Sequence, residues 1–214
     1  MNTLIVIPNY NHNSLCDQLI SKINDYDLLV IDDGSDNKYI PSVNKNNIKV
    51  IRNTENCGKG YCIKLGARFA KDNEYKNILV IDADMQHEPT KIHSFISMSE
   101  DYDFIYGKRN FDSNMPFLRK LSNTITSYII SKMCKISIKD TQCGFRLYNL
   151  SLFDDLHSLE DGYQFESEIL LNKINSSSKI SHVDIPTIYN ESKSSIRNFS
   201  DTNKFIKLVL RNIR

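Results

Sequence analysis

The sequence predicts an α/β fold: a mainly parallel sheet flanked by helices and gathered into a single compact domain. Three observations predict it. Short runs rich in Val, Ile and Leu alternate with segments of helical period, the pattern of parallel strands covered on both faces. Each of the first five runs ends in polar or glycine-containing sequence, and open parallel sheets bind ligands beyond the carboxyl ends of their strands. The 214 residues, 40% of them hydrophobic, suffice for one domain with a sizeable core.

The first strand, Leu4–Ile7, leads into Pro8-Asn9-Tyr10-Asn11 and a helix over about 13–24. The second, Leu28–Ile31, ends in Asp32-Asp33-Gly34-Ser35. The third, Ile48–Ile51, precedes Asn53-Thr54-Glu55-Asn56-Cys57-Gly58-Lys59-Gly60, which opens a helix over 59–72. The fourth, Ile78–Ile81, runs into Asp82-Ala83-Asp84-Met85-Gln86-His87-Glu88-Pro89 before a helix over 90–98. The fifth, Phe104–Tyr106, meets Gly107-Lys108-Arg109. Then the alternation changes. From about 117 to 175, helical stretches surround one strand-like piece near 145–148, and a late strand occupies 180–185. The change divides the domain into a nucleotide-binding half over about 1–110 and an acceptor-facing half over about 111–200, followed by a last helix over 201–214.

A net charge of +1 gives no bulk attraction to nucleic acid. The five cysteines are scattered and odd in number, without metal-ligand spacing, which points to a reducing cytosol. The chain enters its first strand directly, without the pattern of a cleavable leader. It also lacks a run of about 18 apolar residues, the length that spans a bilayer. A cytoplasmic protein is expected.

The carboxylates carry the chemistry. Asp82 and Asp84 are spaced i, i+2 and face one side if the strand persists that far. Hard oxygen donors there suit a divalent cation carrying phosphate oxygens; the alternative is that one Asp caps the next helix. Asp32 and Asp33 are able to accept from a base edge or ribose hydroxyls, or to form an Asx turn or cap. Gly58-Lys59-Gly60 at a helix start brings N–H groups and an ammonium towards phosphates, or serves packing alone; it lacks the Walker A spacing. Arg109 either neutralises a phosphate or is a solvated loop residue.

Together, Pro8/Tyr10/Asn11, Asp32-Asp33-Gly34-Ser35, Asn56-Cys57-Gly58-Lys59-Gly60 and Asp82 to Pro89 resemble the inverting GT-A glycosyltransferases of family 2. The branch most resembled is the polyprenyl-phosphate one, which is dolichol-phosphate mannose synthase-like. Gly107-Lys108-Arg109, Arg119-Lys120-Leu121-Ser122-Asn123, Asp140-Thr141-Gln142-Cys143-Gly144-Phe145-Arg146-Leu147-Tyr148 and Gly162-Tyr163-Gln164-Phe165-Glu166-Ser167-Glu168 continue the likeness in order.

The resemblance implies a GT-A fold and roles residue by residue. Pro8, Tyr10, Asn11, Asp32, Asp33, Lys59 and Asp82 would bind the nucleotide sugar. Asp84 and Gln86 would hold Mg²⁺ or Mn²⁺ with the diphosphate. Arg109 and Arg146 would face the diphosphate or an acceptor phosphate, and Arg119, Lys120 and Ser122 would approach the acceptor. The implied reaction is inverting, metal-dependent transfer of a hexose from a GDP-mannose or UDP-glucose type donor to a polyprenyl phosphate.

A phosphate acceptor needs no deprotonation, its second pKa being about 6. The alternative acceptor, a sugar hydroxyl in a cell-surface polysaccharide or glycolipid, needs a carboxylate base, and Glu166, Glu168 and Asp140 are candidates. Glu166 and Glu168 face different ways on a helix, so one of them reaches the site; placement near the positive end of the helix dipole is the alternative. A nucleotidyltransferase or a non-catalytic sugar-nucleotide binder are further readings. The former expects a Gly-rich signature near the first strand, which Pro8-Asn9-Tyr10-Asn11 is not. One departure from the lipid-phosphate branch stands out: Tyr189-Asn190-Glu191-Ser192-Lys193-Ser194-Ser195-Ile196 has no Arg where many members carry one, leaving Lys193 or Arg197 for charge.

Over 204–214, Phe205, Ile206, Leu208, Val209, Leu210 and Ile213 fall on one helical side, opposite Lys204, Lys207, Arg211 and Arg214. Such a basic amphipathic helix either lies at a membrane surface or packs on the domain. Leu118, Leu121, Ile125, Ile129 and Met133 leave the same choice between core and membrane. The expected setting is the cytoplasmic face of a membrane, with a membrane-protein partner or a homo-oligomer left open.

Overall fold

The computed structural model describes residues 2–110, 117–154, 161–162, 164–188 and 205–211, with only the backbone described at 117–119. The strands are β1 Thr3–Asn9, β2 Leu28–Asp32, β3 Ile48–Arg52, β4 Asn77–Val80, β5 Phe104–Arg109, β6 Arg146–Asn149 and β7 Ile180–Ile185. The α-helices are α1 Asn13–Ser21, α2 Lys59–Asp72, α3 Ile92–Ile96, α4 Phe117–Cys134, α5 Phe165–Lys173 and α6 over 205–211.

One seven-stranded sheet results, in the order β3-β2-β1-β4-β6-β5-β7. All its pairings are parallel except those of β6, which runs antiparallel to both β4 and β5. The central strands are uniformly apolar because both faces are covered. Along β1, Leu4 and Val6 point to one face, with Cys62, Ile63 and Ala67 of α2, Ile130 of α4 and Ile169 of α5. Ile5 and Ile7 point to the other, with Leu19 and Ile20 of α1 and Phe95 of α3. The period of two thus divides one strand between two cores. The edge strand β3 is largely exposed and tolerates Lys49 and Arg52.

From β1 the sheet grows through β2 to β3 on one side, while β4, parallel to β1, is added on the other, so the strand order reverses between β1 and β4. A crevice forms at such a reversal, beyond the carboxyl ends. There the chain departs from expectation in one respect: β4 stops at Val80, and Ala83 and Asp84 lie in a turn. Met85 has φ 61, in the left-handed region. Asp82 and Asp84 are therefore presented by a turn rather than by strand alternation.

Candidate active site

Two consecutive carboxylates end β2, and both are engaged by the protein. Asp32 is fully buried; its Oδ1 accepts from the Ser35 N–H at 3.1 Å and its Oδ2 from the Tyr39 N–H at 2.9 Å, beside the Arg52 guanidinium. Burial opposes its charge, but hydrogen bonds from Ser35, Tyr39 and Arg52 outweigh that and hold the carboxyl below its ordinary range. Asp33 accepts from Asn53 Nδ2 at 2.7 Å, the Cys57 N–H at 2.9 Å and the Gly58 N–H at 2.8 Å. These bonds tie the end of β2 to the start of α2. Both carboxylate oxygens of Asp32 are engaged within the protein and organise the loop after β2. Gly58 makes its connection at φ 98, where a Cβ would stand 2.6 Å from the Asp161 carbonyl oxygen.

After β1, Asn11 also takes a left-handed conformation, φ 58. Its N–H donates to Ser35 Oγ at 2.9 Å and its Oδ1 accepts from the Asp36 N–H at 2.9 Å. This joins the loops after β1 and β2. Pro8 lies within β1, and Tyr10 is exposed beyond its end.

The next layer is a buried ion cluster. Lys59, at the start of α2, places its Nζ 2.6 Å from Asp82 Oδ1 and 3.1 Å from Glu166 Oε1. Burial works against the ammonium, yet the charges of Asp82 and then Glu166 outweigh it and hold Lys59 protonated, above its ordinary range. Burial likewise opposes ionisation of Asp82, but Lys59 and His87 prevail and its carboxyl lies well below the usual value. Asp82 keeps 27% of its side chain exposed, so the cluster opens to the crevice. Lys59 is thus engaged by the carboxylates of Asp82 and Glu166.

Asp84 is in the opposite position. Burial and the neighbouring Asp82 charge raise its carboxyl above the ordinary range, against the Gln86 N–H that donates to its Oδ1 at 3.0 Å. Two carboxylates kept close with one of them disfavoured as an anion is an arrangement a divalent cation relieves. The donors are hard oxygens, two carboxylates and the Gln86 amide, which suit Mg²⁺ or Mn²⁺ when phosphate oxygens or water complete the shell. No cluster of three or more His, Cys, Asp or Glu with metal-binding disposition occurs among the described residues. The residues present fit a cation that shares its ligands with substrate.

On the acceptor side, Arg109 at the end of β5 meets Asp140 in a bidentate pair: Nε donates to Oδ2 at 2.8 Å and Nη2 to Oδ1 at 2.9 Å. Asn123 of α4 adds a donor to Asp140 Oδ1 at 2.8 Å. Lys120 is half-buried and Ser122 exposed on α4, while the Arg119 side chain lies outside the described residues, as do Tyr163 and 189–204.

Arg146 is not in the crevice. It is buried, donating from Nε to the Cys143 carbonyl at 2.7 Å, from Nη1 to the Glu166 carbonyl at 2.7 Å and from Nη2 to the Thr141 carbonyl at 2.6 Å. Its fork is filled by backbone oxygens, and it holds the Glu166 segment in place. Gly144, within the Asp140 to Tyr148 motif, shows its role only in the fold. A Cβ there would stand 2.4 Å from Asp82 Oδ2 and 2.5 Å from Lys59 Nζ.

The family model described as glycosyl transferase family 2 matches residues 4–157. The chain belongs to that family. It is a glycosyltransferase. The dolichyl-phosphate beta-glucosyltransferase of Dictyostelium discoideum is 27% identical over 206 residues, covering 80% of this chain and 62% of the relative. The undecaprenyl-phosphate mannosyltransferase of Micrococcus luteus is 24% identical over 207 residues, covering 89% of this chain and 85% of the relative. Among solved structures, glucosyl-3-phosphoglycerate synthase from Mycobacterium tuberculosis superposes with a TM-score of 0.72 at 14% identity, covering 99% of this chain and 78% of that one. That likeness establishes the GT-A fold.

Proposed function

We propose that this family 2 glycosyltransferase transfers a hexose, with inversion, from a nucleotide-diphosphate sugar to a polyprenyl phosphate at the cytoplasmic face of a membrane. The observation that carries the reading is the paired disposition of Asp82 and Asp84 beyond β4, at the crevice where the strand order reverses. Asp84 and Gln86 would hold Mg²⁺ or Mn²⁺, which supplies charge stabilisation to a departing diphosphate. The M. tuberculosis neighbour was crystallised with Mn²⁺ and UDP, in keeping with such a site.

The chain's own residues position the donor and its surroundings. Lys59 keeps Asp82 ionised and oriented, Asp33 anchors the start of α2, and Asn11 joins the two loops that border the nucleotide side. Preorganised charge of this kind needs no rearrangement during reaction. Of the three candidate bases, Glu166 and Asp140 sit in ion pairs with Lys59 and Arg109, and Glu168 is buried on α5. That favours an acceptor that requires no base, a phosphate already largely dianionic near neutral pH. The two curated relatives are named for prenyl phosphate substrates, which supports the same acceptor class.

The test is a donor screen with GDP-mannose, UDP-glucose and UDP-N-acetylhexosamines, each with Mn²⁺ or Mg²⁺ and undecaprenyl phosphate. The expected result is a lipid-linked sugar of inverted anomeric configuration from one donor. Transfer only to a sugar hydroxyl would overturn the acceptor assignment.

A further inference from the structure

Helix α4 is amphipathic in the reverse sense. At about 100° per residue, Asn123, Thr126, Ser127, Ile130 and Cys134 share one side, and all are buried. Leu121, Ile125, Tyr128 and Lys132 share the opposite side, where Leu121 is 46%, Ile125 50% and Tyr128 63% exposed. The polar residues point inward because they have partners there. Asn123 donates to Asp140, Ser127 Oγ lies 3.0 Å from Thr141 Oγ1, and Gln142 Nε2 donates to Thr126 Oγ1 at 3.4 Å. An ordinary surface helix turns its apolar stripe to the core; this one leaves large apolar side chains together outside, the mark of an interaction surface.

Charge identifies what covers it. From Ser113 to Lys139 the chain has no acidic residue but contains Arg119, Lys120, Lys132, Lys135 and Lys139. Lys132 and Lys135 are exposed, and Lys132 Nζ lies 5.8 Å from the Tyr128 ring centroid. Helix α6 repeats the arrangement on the same core cluster: Phe205 packs inward, while Ile206 and Leu210 are exposed beside Lys207 and Arg211.

We propose that the outer face of α4 is a membrane-docking surface, with Leu121, Ile125 and Tyr128 entering the interface of an anionic bilayer and Lys132 and Lys135 facing its headgroups. An aromatic and aliphatic stripe bordered by Lys132 and Lys135, on a segment without acidic residues, matches the layered chemistry of a bilayer surface. Protein–protein interface cores are instead depleted of Lys. The inference deepens the lipid-phosphate reading and rests on it for its biological sense. Physically it requires only adsorption. Because Asn123 on the inner side of α4 holds Asp140, and Asp140 holds Arg109, the docked helix is linked directly to the acceptor-side ion pair.

The test is co-sedimentation of the full chain with phosphatidylcholine vesicles, with and without phosphatidylglycerol. The wild type is expected to bind the anionic vesicles. The Ile125→Glu/Tyr128→Glu double variant is expected to lose about tenfold or more of that binding, with an unchanged melting temperature and unchanged donor affinity. Unchanged vesicle binding by the double variant would overturn the proposal. So would a wild type that ignores vesicles but forms a dimer dissolved by the same substitutions, since a second copy would then be the occupant. Binding that depends on α4 in a chain forming no lipid-linked sugar would uphold the surface and overturn only the acceptor reading.

Discussion

Gly144 lies so close to Asp82 that a Cβ would stand 2.4 Å from its carboxylate Oδ2. The same Cβ would approach Lys59 Nζ to 2.5 Å, so a methyl group there would wedge the ion pair apart. Gly144→Ala is expected to fold, because flexible side-chain ends give way, but with Asp82 displaced. The loss in kcat/KM is expected to be on the order of 100-fold, the scale of a displaced catalytic geometry. Steady-state kinetics beside a thermal melt check this; wild-type turnover would show that the Asp82 position is not needed.

Lys59 lies between the carboxylates of half-buried Asp82 and buried Glu166, and its side chain is only 11% exposed. Lys59→Met leaves both acids in place without their counter-charge. Breaking a buried pair in this way costs about 3–5 kcal/mol. Urea unfolding should show that loss, with Lys59→Arg recovering part of it.

Asp140 supplies a pH signature. Burial opposes its charge, but the hydrogen bonds and charge of Arg109 outweigh it, so its folded carboxyl lies below the ordinary value. A depressed folded pKa contributes stability above the unfolded value, about 3.9. That contribution is lost as pH falls through the folded value. The stability gap between wild type and Asp140→Asn is therefore expected to be full at pH 6 and to shrink on acidification below about pH 4. A gap independent of pH over that range would show that the Asp140 charge contributes nothing.

Much of this was legible in the sequence. Buried parallel strands leave continuous apolar runs, and β1, β2 and β4 were found for that reason. The placing of β6 between β4 and β5 was not, since a run of four residues shows strand character but not its neighbours. Site residues were legible as a set, because polar chemistry at the strand ends is local in sequence. Their individual partners were not. Asp32 meets Arg52 across 20 residues, and Arg146 is consumed by carbonyls of Thr141, Cys143 and Glu166. Such pairings depend on which ends the fold brings together. Gly144 escaped for the same cause: its need for a bare Cα arises only once Asp82 and Lys59 stand opposite it.

The most direct measurement is transfer by Asp84→Ala, assayed with the active donor, Mn²⁺ and undecaprenyl phosphate, alongside a thermal melt. Lipid-linked sugar is expected to fall to background while the melting temperature is retained, because removing Asp84 also removes the repulsion that Asp82 imposes on it. Undiminished transfer by a folded Asp84→Ala would contradict the account.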